Sequence, residues 1–427
     1  MNEAFLQYIW NTHQFDLNHL TLSDGRAFQI LRFGKFNATD SGPDFLHGSI
    51  QVDGLTFVGH IEIHIKSADW DQHKHNQDTA YDNVILHVVW EDDRYITNRS
   101  GQAIPTFILK NRIPEGIYKQ YLILMRDNSP VHCHGLHPLS VPAERWNIWK
   151  ERLLIERLQR KVRSISLMPA GDIRDWDQIL FISICKAMGM KVNGEAMEHL
   201  AQLIPLNILR KNAGDHTFSE ALFFGTAGLL STPPGDQYQH ELQTQWHFIR
   251  HKYELSQMQK VEWKYARMHP PNFPDIRIAQ LANLYCAHQS FLQSFLSNPE
   301  LNHIRSFFEN IILNEYWSHH FRLGHPASKA IPKKPGRDTI DVLIMNAIVP
   351  VLFIYSYTHQ NADLQEKIIS LLEQMPPENN KIIRDWKNIG IIAKHAADSQ
   401  ALLQLRNEYC DLRRCLQCSI GHCLLHK

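Results

Sequence analysis

The segment GHIEIHIK, residues 59–66, alternates polar and apolar side chains. At the two-residue period of a β-strand, isoleucines line one face and four polar residues line the other, His60, Glu62, His64 and Lys66. Carboxylate, imidazole and ammonium groups are the side chains that hold metal ions and transfer protons. This polar face is therefore the first place to look for chemistry.

A second carboxylate, Asp44, lies upstream in SGPDF, at the entrance of the preceding strand. The Asp-Gly pair at 53–54 predicts a tight hairpin between the two strands, which would bring Asp44 within reach of Glu62. Two neighbouring carboxylates repel unless a cation lies between them, and oxygen ligands favour magnesium or manganese. We therefore predict a divalent metal on Asp44 and Glu62, with His64 or Lys66 orienting the water or the phosphate.

The histidines allow a different site. His60 and His64 share a face, and His73 and His75, or His87 from the next strand, could join them around zinc or iron. The pattern also has a purely structural explanation, in which it is the polar side of a half-exposed edge strand and its histidines bond to nearby aspartates. The sequence leaves both explanations open.

The surrounding elements predict an α+β protein. Up to about residue 125 the order is helix, three strands, short helix, strand, and the last strand, VILHVVWEDD, is apolar on both faces, as expected in the middle of a sheet. From about residue 140 the apolar spacing becomes helical. We predict three parts: a mixed α/β domain at 1–125, an all-α helical domain at 126–405 and a cysteine-bearing segment at 406–427.

The C-terminal segment YCDLRRCLQCSIGHCLLHK concentrates four of the seven cysteines, Cys410, Cys415, Cys418 and Cys423. Thiolates presented from a short turn suit a tetrahedral zinc ion or an iron–sulfur cluster. Cysteines packed as small apolar side chains on a terminal helix explain the pattern equally well.

The overall charge argues against a surface largely covered by nucleic acid, because the formal net charge is +0. A predicted helix beginning near residue 144 nevertheless carries a surplus of basic residues, among which we single out Arg157, Arg160 and Lys161 as contacts to a DNA or RNA backbone. The solvated face of an amphipathic helix is the alternative explanation.

Three further features predict a cytoplasmic protein that is not associated with a membrane. The chain opens without a basic region followed by an apolar run, as a secretory signal would have. The number of cysteines, 7, is odd and suits a reducing compartment. The apolar stretch IMNAIVPVLFIY is too short to span a bilayer, so we expect a buried helix there.

The order of elements, together with Pro43-Asp44 and Glu62-Ile63-His64, resembles the core of the PD-(D/E)xK nuclease superfamily. The resemblance implies a restriction-endonuclease-like αβββαβ core in which the Asp and the Glu hold the metal and a Lys two residues after the Glu assists the attacking water. His64 occupies that place here. Gln77 and Tyr81, spaced Q-x-x-x-Y, resemble a motif of the RecB-like branch and are further candidate contacts to nucleic acid.

The whole chain resembles the bacterial domain of unknown function 2851 family, in the segments GPDF, GHIEIHIKSADW, HKHNQDTAYDNVILHVVW, NFPDIRIAQLA and YCDLRRCLQCSIG. That resemblance implies a cytoplasmic bacterial protein and brings no established activity. Three functional hypotheses follow from the residues. The preferred one is a divalent-metal-dependent nuclease. The others are a catalytically inactive scaffold that binds nucleic acid or protein, and a His-ligated metalloenzyme acting on a small molecule.

Overall fold

The computed structural model of the chain describes residues 1–37, 41–166, 175–259, 262–288 and 290–426. The chain forms two compact units. The first unit comprises Met1–Trp149 and Arg406–Lys427, and the second comprises Lys150–Leu405. The C-terminal segment, which the sequence predicted to stand apart, thus groups with the N-terminal unit, and the first boundary falls at 149 rather than 125.

The first unit contains a sheet and five helices among the described residues, with α4 running across the boundary at residue 149. The strands are β1 (Phe28–Arg32), β2 (Lys35–Phe36), β3 (Phe45–Val52), β4 (Leu55–Lys66), β5 (Val84–Glu91) and β6 (Thr106–Ile108). The helices are α1 (Glu3–Asn11), α2 (Asp69–Gln72), α3 (Glu115–Arg126), α4 (Ala143–Ser166) and, at the C-terminal end, α18 (Ser419–Leu425). Short 3-10 turns cover His75–Gln77, Thr79–Tyr81, His134–Leu136, Pro138–Ser140 and Cys415–Gln417, and Arg406–Cys410 is a π-helical turn.

The second unit is mostly helical, as predicted. Its helices are α5 (Trp176–Met188), α6 (Met190–Leu203), α7 (Leu206–Lys211), α8 (His216–Thr226), α9 (Gln237–Tyr253), α10 (Pro274–Ala287), α11 (Phe291–Ser297), α12 (Leu301–Glu309), α13 (Arg337–Leu343), α14 (Val349–Thr358), α15 (Ala362–Glu373), α16 (Lys381–Asn388) and α17 (Ala396–Leu405). Further turns of 3-10 or π type cover Pro270–Asn272, Glu315–Ser318 and Ile344–Ile348. The all-α prediction was wrong at one place, where β7 (His320–Arg322) and β8 (His325–Pro326) form a small hairpin.

The sheet of the first unit is mixed. Its strands lie in the order β1, β3, β4, β5, β6, with β2 also paired to β3. The first three strands of this order are antiparallel neighbours, whereas β5 runs parallel to both β4 and β6. Both β4 and β5 are therefore interior strands, and the prediction of a buried central strand at 84–91 is confirmed.

The predicted hairpin between β3 and β4 is confirmed. Asp53 and Gly54 have φ values of +50° and +80°, and Val52 pairs with Leu55 on either side of them. Two central residues with positive φ match the twist of antiparallel strands, which is why Asp-Gly is favoured there. The tight turn sets the register that brings the start of β3 beside the middle of β4.

The core of the first unit lies between the sheet and helices α1 and α3. Ile61 and Ile63 of β4 pack with Phe5 and other apolar residues of α1. Leu425 of α18 belongs to the same core and is 1% exposed. Burial of apolar surface from both chain ends in one core explains why the C-terminal segment is part of this unit.

One stretch of the second unit has the length and hydropathy of a membrane span. Among the described residues, Arg337–Thr358 is 22 residues long, and its most apolar window of 18 residues has a mean hydropathy of 1.8 and is 72% buried within the protein. Core helices of soluble proteins have this character, and the buried helix predicted for IMNAIVPVLFIY is confirmed.

Candidate functional site

The two carboxylates singled out from the sequence meet. Asp44 directly precedes β3, and its backbone N–H donates to Oε2 of Glu62 on β4 over 2.9 Å. Oδ2 of Asp44 accepts the backbone N–H of Ile63 at 3.0 Å, and Oδ1 accepts the side-chain amide of Gln7 at 2.8 Å. The side chain of Asp44 is thus held from α1 and from β4, with its carboxyl group beside that of Glu62.

Burial makes ionisation of this pair costly. Glu62 is only 5% exposed. Burial, followed by the charge of Glu62, raises the pKa of Asp44 to about 7. Burial, with a smaller contribution from Glu3, raises the pKa of Glu62 to about 8. Carboxyl groups in this situation favour either bound protons or a cation between them.

Three histidines surround Glu62. His64, His73 and His75 each offer one ring nitrogen, and these three atoms lie within 4.8 Å of one another. Oε1 of Glu62 lies 3.4 Å from Nε2 of His75 and 3.6 Å from Nε2 of His64. Ligand atoms about 2.1 Å from a tetrahedral ion stand about 3.4 Å apart. The two distances from Glu62 match this spacing, whereas the three histidine nitrogens are bounded only by the wider 4.8 Å.

The buried histidines are held in their neutral form. Nδ1 of His64 lies 2.8 Å from Nε2 of His87, and Nε2 of His64 lies 3.1 Å from Nδ1 of His73. Burial, followed by the charges of its histidine neighbours, lowers the pKa of His64 to about 2, and burial lowers that of His87 to about 3. Neutral imidazole is the form that binds a metal, whereas so weak a base is a poor proton acceptor near neutral pH.

His75 has an open ligand position. Its Nε2 is buried and has no hydrogen-bond partner among the described residues. The ring of Tyr81 stacks on the ring of His75 with centroids 3.7 Å apart, which fixes its orientation. A buried nitrogen that lacks a hydrogen bond and faces a carboxylate fits the position of a metal ligand.

The polar face of β4 is covered rather than exposed at a sheet edge. Trp70 of α2 is 0% exposed and packs edge-on against the rings of His75 and His87. The half-exposed edge strand offered as the structural alternative was therefore wrong, because β4 has a partner strand on each side and a cover over its polar face. Solvent reaches the cluster at His73, which is exposed.

Two polar residues of the same strand lie outside the cluster. The side chain of Lys66 is 53% exposed, and its Nζ lies 3.6 Å from Asp93. Nδ1 of His60 accepts the backbone N–H of His47 at 3.4 Å. The alternation of polar and apolar residues in β4 thus extends beyond the part of the strand whose polar face is covered.

The candidate contacts to nucleic acid lie in contrasting surroundings. Gln77 is exposed, whereas Tyr81 is 9% exposed and is occupied by its stacking on His75. Of the basic residues, Arg157 is buried, and both it and Lys161 donate to Oε1 of Gln400. These two side chains serve contacts within the helical unit and do not form an exposed basic stripe.

Arg160 is exposed but is also engaged within the second unit. Its guanidinium donates to Oε1 of Gln404 over 3.2 Å. Burial lowers the pKa of Lys161, the next residue in the chain, well below its ordinary value. The number of basic residues in a sequence therefore does not distinguish those that stay on the surface from those that donate hydrogen bonds in the interior.

The C-terminal cysteines do not all come together. Cys410, Cys415 and Cys418 are buried near Cys133, while Cys423 lies near Tyr8. Sequence reasoning missed Cys133 because it is a single cysteine far from the other three along the chain. It missed Gln7 for the same reason, since no local spacing links this residue to Asp44.

The comparisons with known proteins give one match. Residues 3–381 match a protein family described as "Protein of unknown function (DUF2851)". No curated protein and no solved structure matches the chain. The matched residues include the carboxylate and histidine cluster and most of the helical unit. The chain therefore belongs to the DUF2851 family of proteins of unknown function.

Proposed function

We propose that the first unit is a divalent-metal-dependent nuclease that hydrolyses phosphodiester bonds in DNA or RNA. One observation carries the proposal: Asp44 and Glu62, from neighbouring strands, lie together, and Oε1 of Glu62 stands 3.4 Å and 3.6 Å from the ring nitrogens of His75 and His64. Such a set of groups has a large desolvation cost without a bound cation.

The topology gives the proposal a second support. Helix α1 is followed by β1, the two-residue β2, β3 and β4, then by the helical segment that begins at α2, and then by β5 parallel to β4. Apart from the short β2, this order resembles the αβββαβ order of a restriction-endonuclease-like core. With β2 set aside, Asp44 precedes the second of these strands and Glu62 lies in the third, as the resemblance to that superfamily demands.

Asp44, Glu62 and the histidines His64, His73 and His75 would hold the ion. A divalent ion bound there would polarise a phosphodiester and lower the pKa of a water molecule. Carboxylates suit magnesium and manganese, whereas imidazoles suit zinc and iron. The mixed set makes manganese the first ion to test, beside magnesium.

The protein's own residues have separate tasks around this set. Gln7 and the N–H of Ile63 orient the carboxylate of Asp44 through hydrogen bonds. His87 plays the corresponding role for the ring of His64. His73 is the exposed histidine of the cluster, so a substrate or solvent can reach the ion from its side.

The test is cleavage of labelled single-stranded and duplex DNA and RNA by purified protein with magnesium or manganese. We expect cleavage by wild type and a loss of at least about 100-fold in Asp44→Asn and Glu62→Gln, because each removes a ligand charge. Lys66→Ala is the matched control on the same strand. Its side chain points to Asp93, so cleavage should stay within about 2-fold of wild type.

Absence of cleavage by well-folded wild type on all of these substrates would overturn the nuclease proposal. Binding of nucleic acid that is independent of metal, without cleavage, would then favour the scaffold. Loss of cleavage in Lys66→Ala but not in Glu62→Gln would place the chemistry elsewhere on the strand.

A His-ligated metalloenzyme for a small molecule is the second candidate. The observation that favours it is the close approach of the ring nitrogens of His64, His73 and His75, within 4.8 Å of one another. Metal analysis of wild type, His75→Ala and Asp44→Asn separates the two. Zinc or iron that is lost in His75→Ala but retained in Asp44→Asn would favour this candidate, and His60→Ala is the control outside the cluster.

A further inference from the structure

Four cysteines from two distant parts of the chain come together in the first unit. Cys133 precedes a 3-10 turn after α3, and Cys410, Cys415 and Cys418 belong to the C-terminal segment. The last three are each 8% exposed, and all four are free thiols. The group of Cys133, Cys410, Cys415 and Cys418 is called the thiol tetrad below.

Cys133 packs against the apolar core that contains Cys415, and the backbone N–H of Cys418 donates to the carbonyl of Cys415 over 3.3 Å. Burial is the main cause of the raised pKa of Cys133, Cys410 and Cys418, and their charges also act on one another. Cys133 is affected by Cys415 and Cys418, Cys410 by the other three, and Cys418 by Cys415. Cys423 is outside this set and acts instead on Tyr8, whose pKa is raised first by burial and then by that thiol.

The two segments that carry the tetrad are tied together by specific contacts. The guanidinium of Arg413 donates to the backbone carbonyl of Met125 and, over 2.9 Å, to Oδ1 of Asn128. A Cβ atom on Gly421 would lie 2.2 Å from the carbonyl oxygen of Cys415, so only glycine allows α18 to approach this closely. These contacts hold the loop after α3 and the C-terminal segment together and so fix the positions of the thiols.

Polar groups beside the tetrad lack partners. Nδ1 of His132 and Nη1 of Arg406 are buried, and neither has a hydrogen-bond partner among the residues that the structure describes. Arg406 lies close enough to Cys410 for its charge to oppose the burial that raises the pKa of this thiol. Buried donors with no acceptor are rare, and the sulfur atoms of a thiolate-bound centre accept such donors.

One of the sulfurs has polar neighbours that oppose the effect of its burial. Burial raises the pKa of Cys418 to about 12, and the nearby N–H groups of Ile420 and Gly421 act in the opposite direction, although no side-chain hydrogen bond caps α18. Burial likewise raises the pKa of Cys133, Cys410 and Cys415. Without a cation the thiols are neutral, so thiolates at these positions require a bound metal.

We propose that Cys133, Cys410, Cys415 and Cys418 form a four-thiolate centre that holds an iron–sulfur cluster. Among the described residues no three of these sulfur atoms lie within 4.8 Å of one another, a spacing too wide for a single zinc ion and suited to a larger cluster. The centre links the C-terminal segment to the loop after α3. It is separate from the carboxylate and histidine cluster, and it uses Cys133 in place of Cys423.

The experiment measures iron, zinc and acid-labile sulfide in full-length protein produced with both metals supplied and purified without oxygen. We expect about four irons per chain with sulfide and the visible absorption of a cluster. Cys133→Ser should lose at least about 90% of that metal. Cys423→Ser, the matched control, should keep it.

A second measurement does not depend on whether variants fold. Alkylation of native wild type, followed by mass spectrometry, should label Cys423 readily and the tetrad only after a chelator removes the metal. Wild type that binds no iron or binds zinc alone, tetrad alkylation unaffected by chelator, or iron kept in Cys133→Ser and lost in Cys423→Ser would each overturn the proposal.

Discussion

Replacing Glu62 by glutamine tests the electrostatics of the carboxylate pair directly. Glutamine has nearly the same shape, and its Oε1 can still accept the backbone N–H of Asp44, which Oε2 of Glu62 accepts at 2.9 Å. Only the ability to ionise is removed. The change therefore isolates the cost of a buried charge at this position from the cost of lost packing.

The magnitude follows from the pKa of Glu62, which burial raises from 4.5 to about 8. Because the pKa is higher in the folded state, the stability contributed by neutral Glu62 is fully present below pH 4.5 and is lost as the pH rises through about 8. At about 1.4 kcal/mol per pKa unit the full cost approaches about 5 kcal/mol. With chelator present, we expect Glu62→Gln to be about 2–5 kcal/mol more stable than wild type near pH 9, and nearly equal to it near pH 4.5.

The assay is urea unfolding at both pH values, followed by hydrogen exchange of peptides from β3 and β4, which reports on the first unit separately from the second. Glu91→Gln, an exposed position at the end of the adjacent strand, is the control and should change stability by less than about 0.5 kcal/mol at either pH. Saturating manganese should reverse the order by stabilising wild type above the variant. A difference of equal size at both pH values, or none near pH 9, would refute the reasoning.

Two further predictions concern packing and a buried ion pair. Gly421→Ala should destabilise the first unit by about 1–3 kcal/mol, because its Cβ would lie 2.2 Å from a backbone oxygen. In Gly116→Ala on α3 the new Cβ meets nothing within 4 Å, so urea unfolding should show no loss. Asp341→Asn should cost the second unit about 3–5 kcal/mol, since Arg305 binds Asp341 through two hydrogen bonds of 2.8 and 2.9 Å with both side chains buried. Breaking the exposed pair of Lys119 and Glu115 with Glu115→Gln should cost less than about 1 kcal/mol, and equal losses in the two would contradict this account.

Local patterns carried the prediction of the sheet. The alternation in β4 and the Asp-Gly turn at 53–54 depend on neighbouring residues alone, because side-chain direction and positive φ are properties of a few consecutive residues. The same patterns placed Asp44 and Glu62 on adjacent strands. These parts of the fold and of the site could be predicted without knowledge of the rest of the chain.

Burial of the polar face could not be predicted in this way. A strand with one apolar and one polar face has the same sequence whether water or another segment covers the polar side. Trp70 and the segment after it supply that cover, and it is this burial that raises the pKa of Glu62 and lowers that of His64. The chemistry of these groups therefore depends on packing between separate elements.

The sequence by itself determined the strands, the turn, the change to helices and the residue types available for chemistry. Only the tertiary structure decided which of them meet. Cys133 lies 277 positions before Cys410, and Gln7 lies 37 positions before Asp44. Local spacing in the sequence therefore cannot predict that the residues of either pair come together. The basic residues Arg157 and Lys161 turn inward for a similar reason. Local conformation is set by nearby residues, whereas convergence across the chain is set by the burial of apolar surface in a common core.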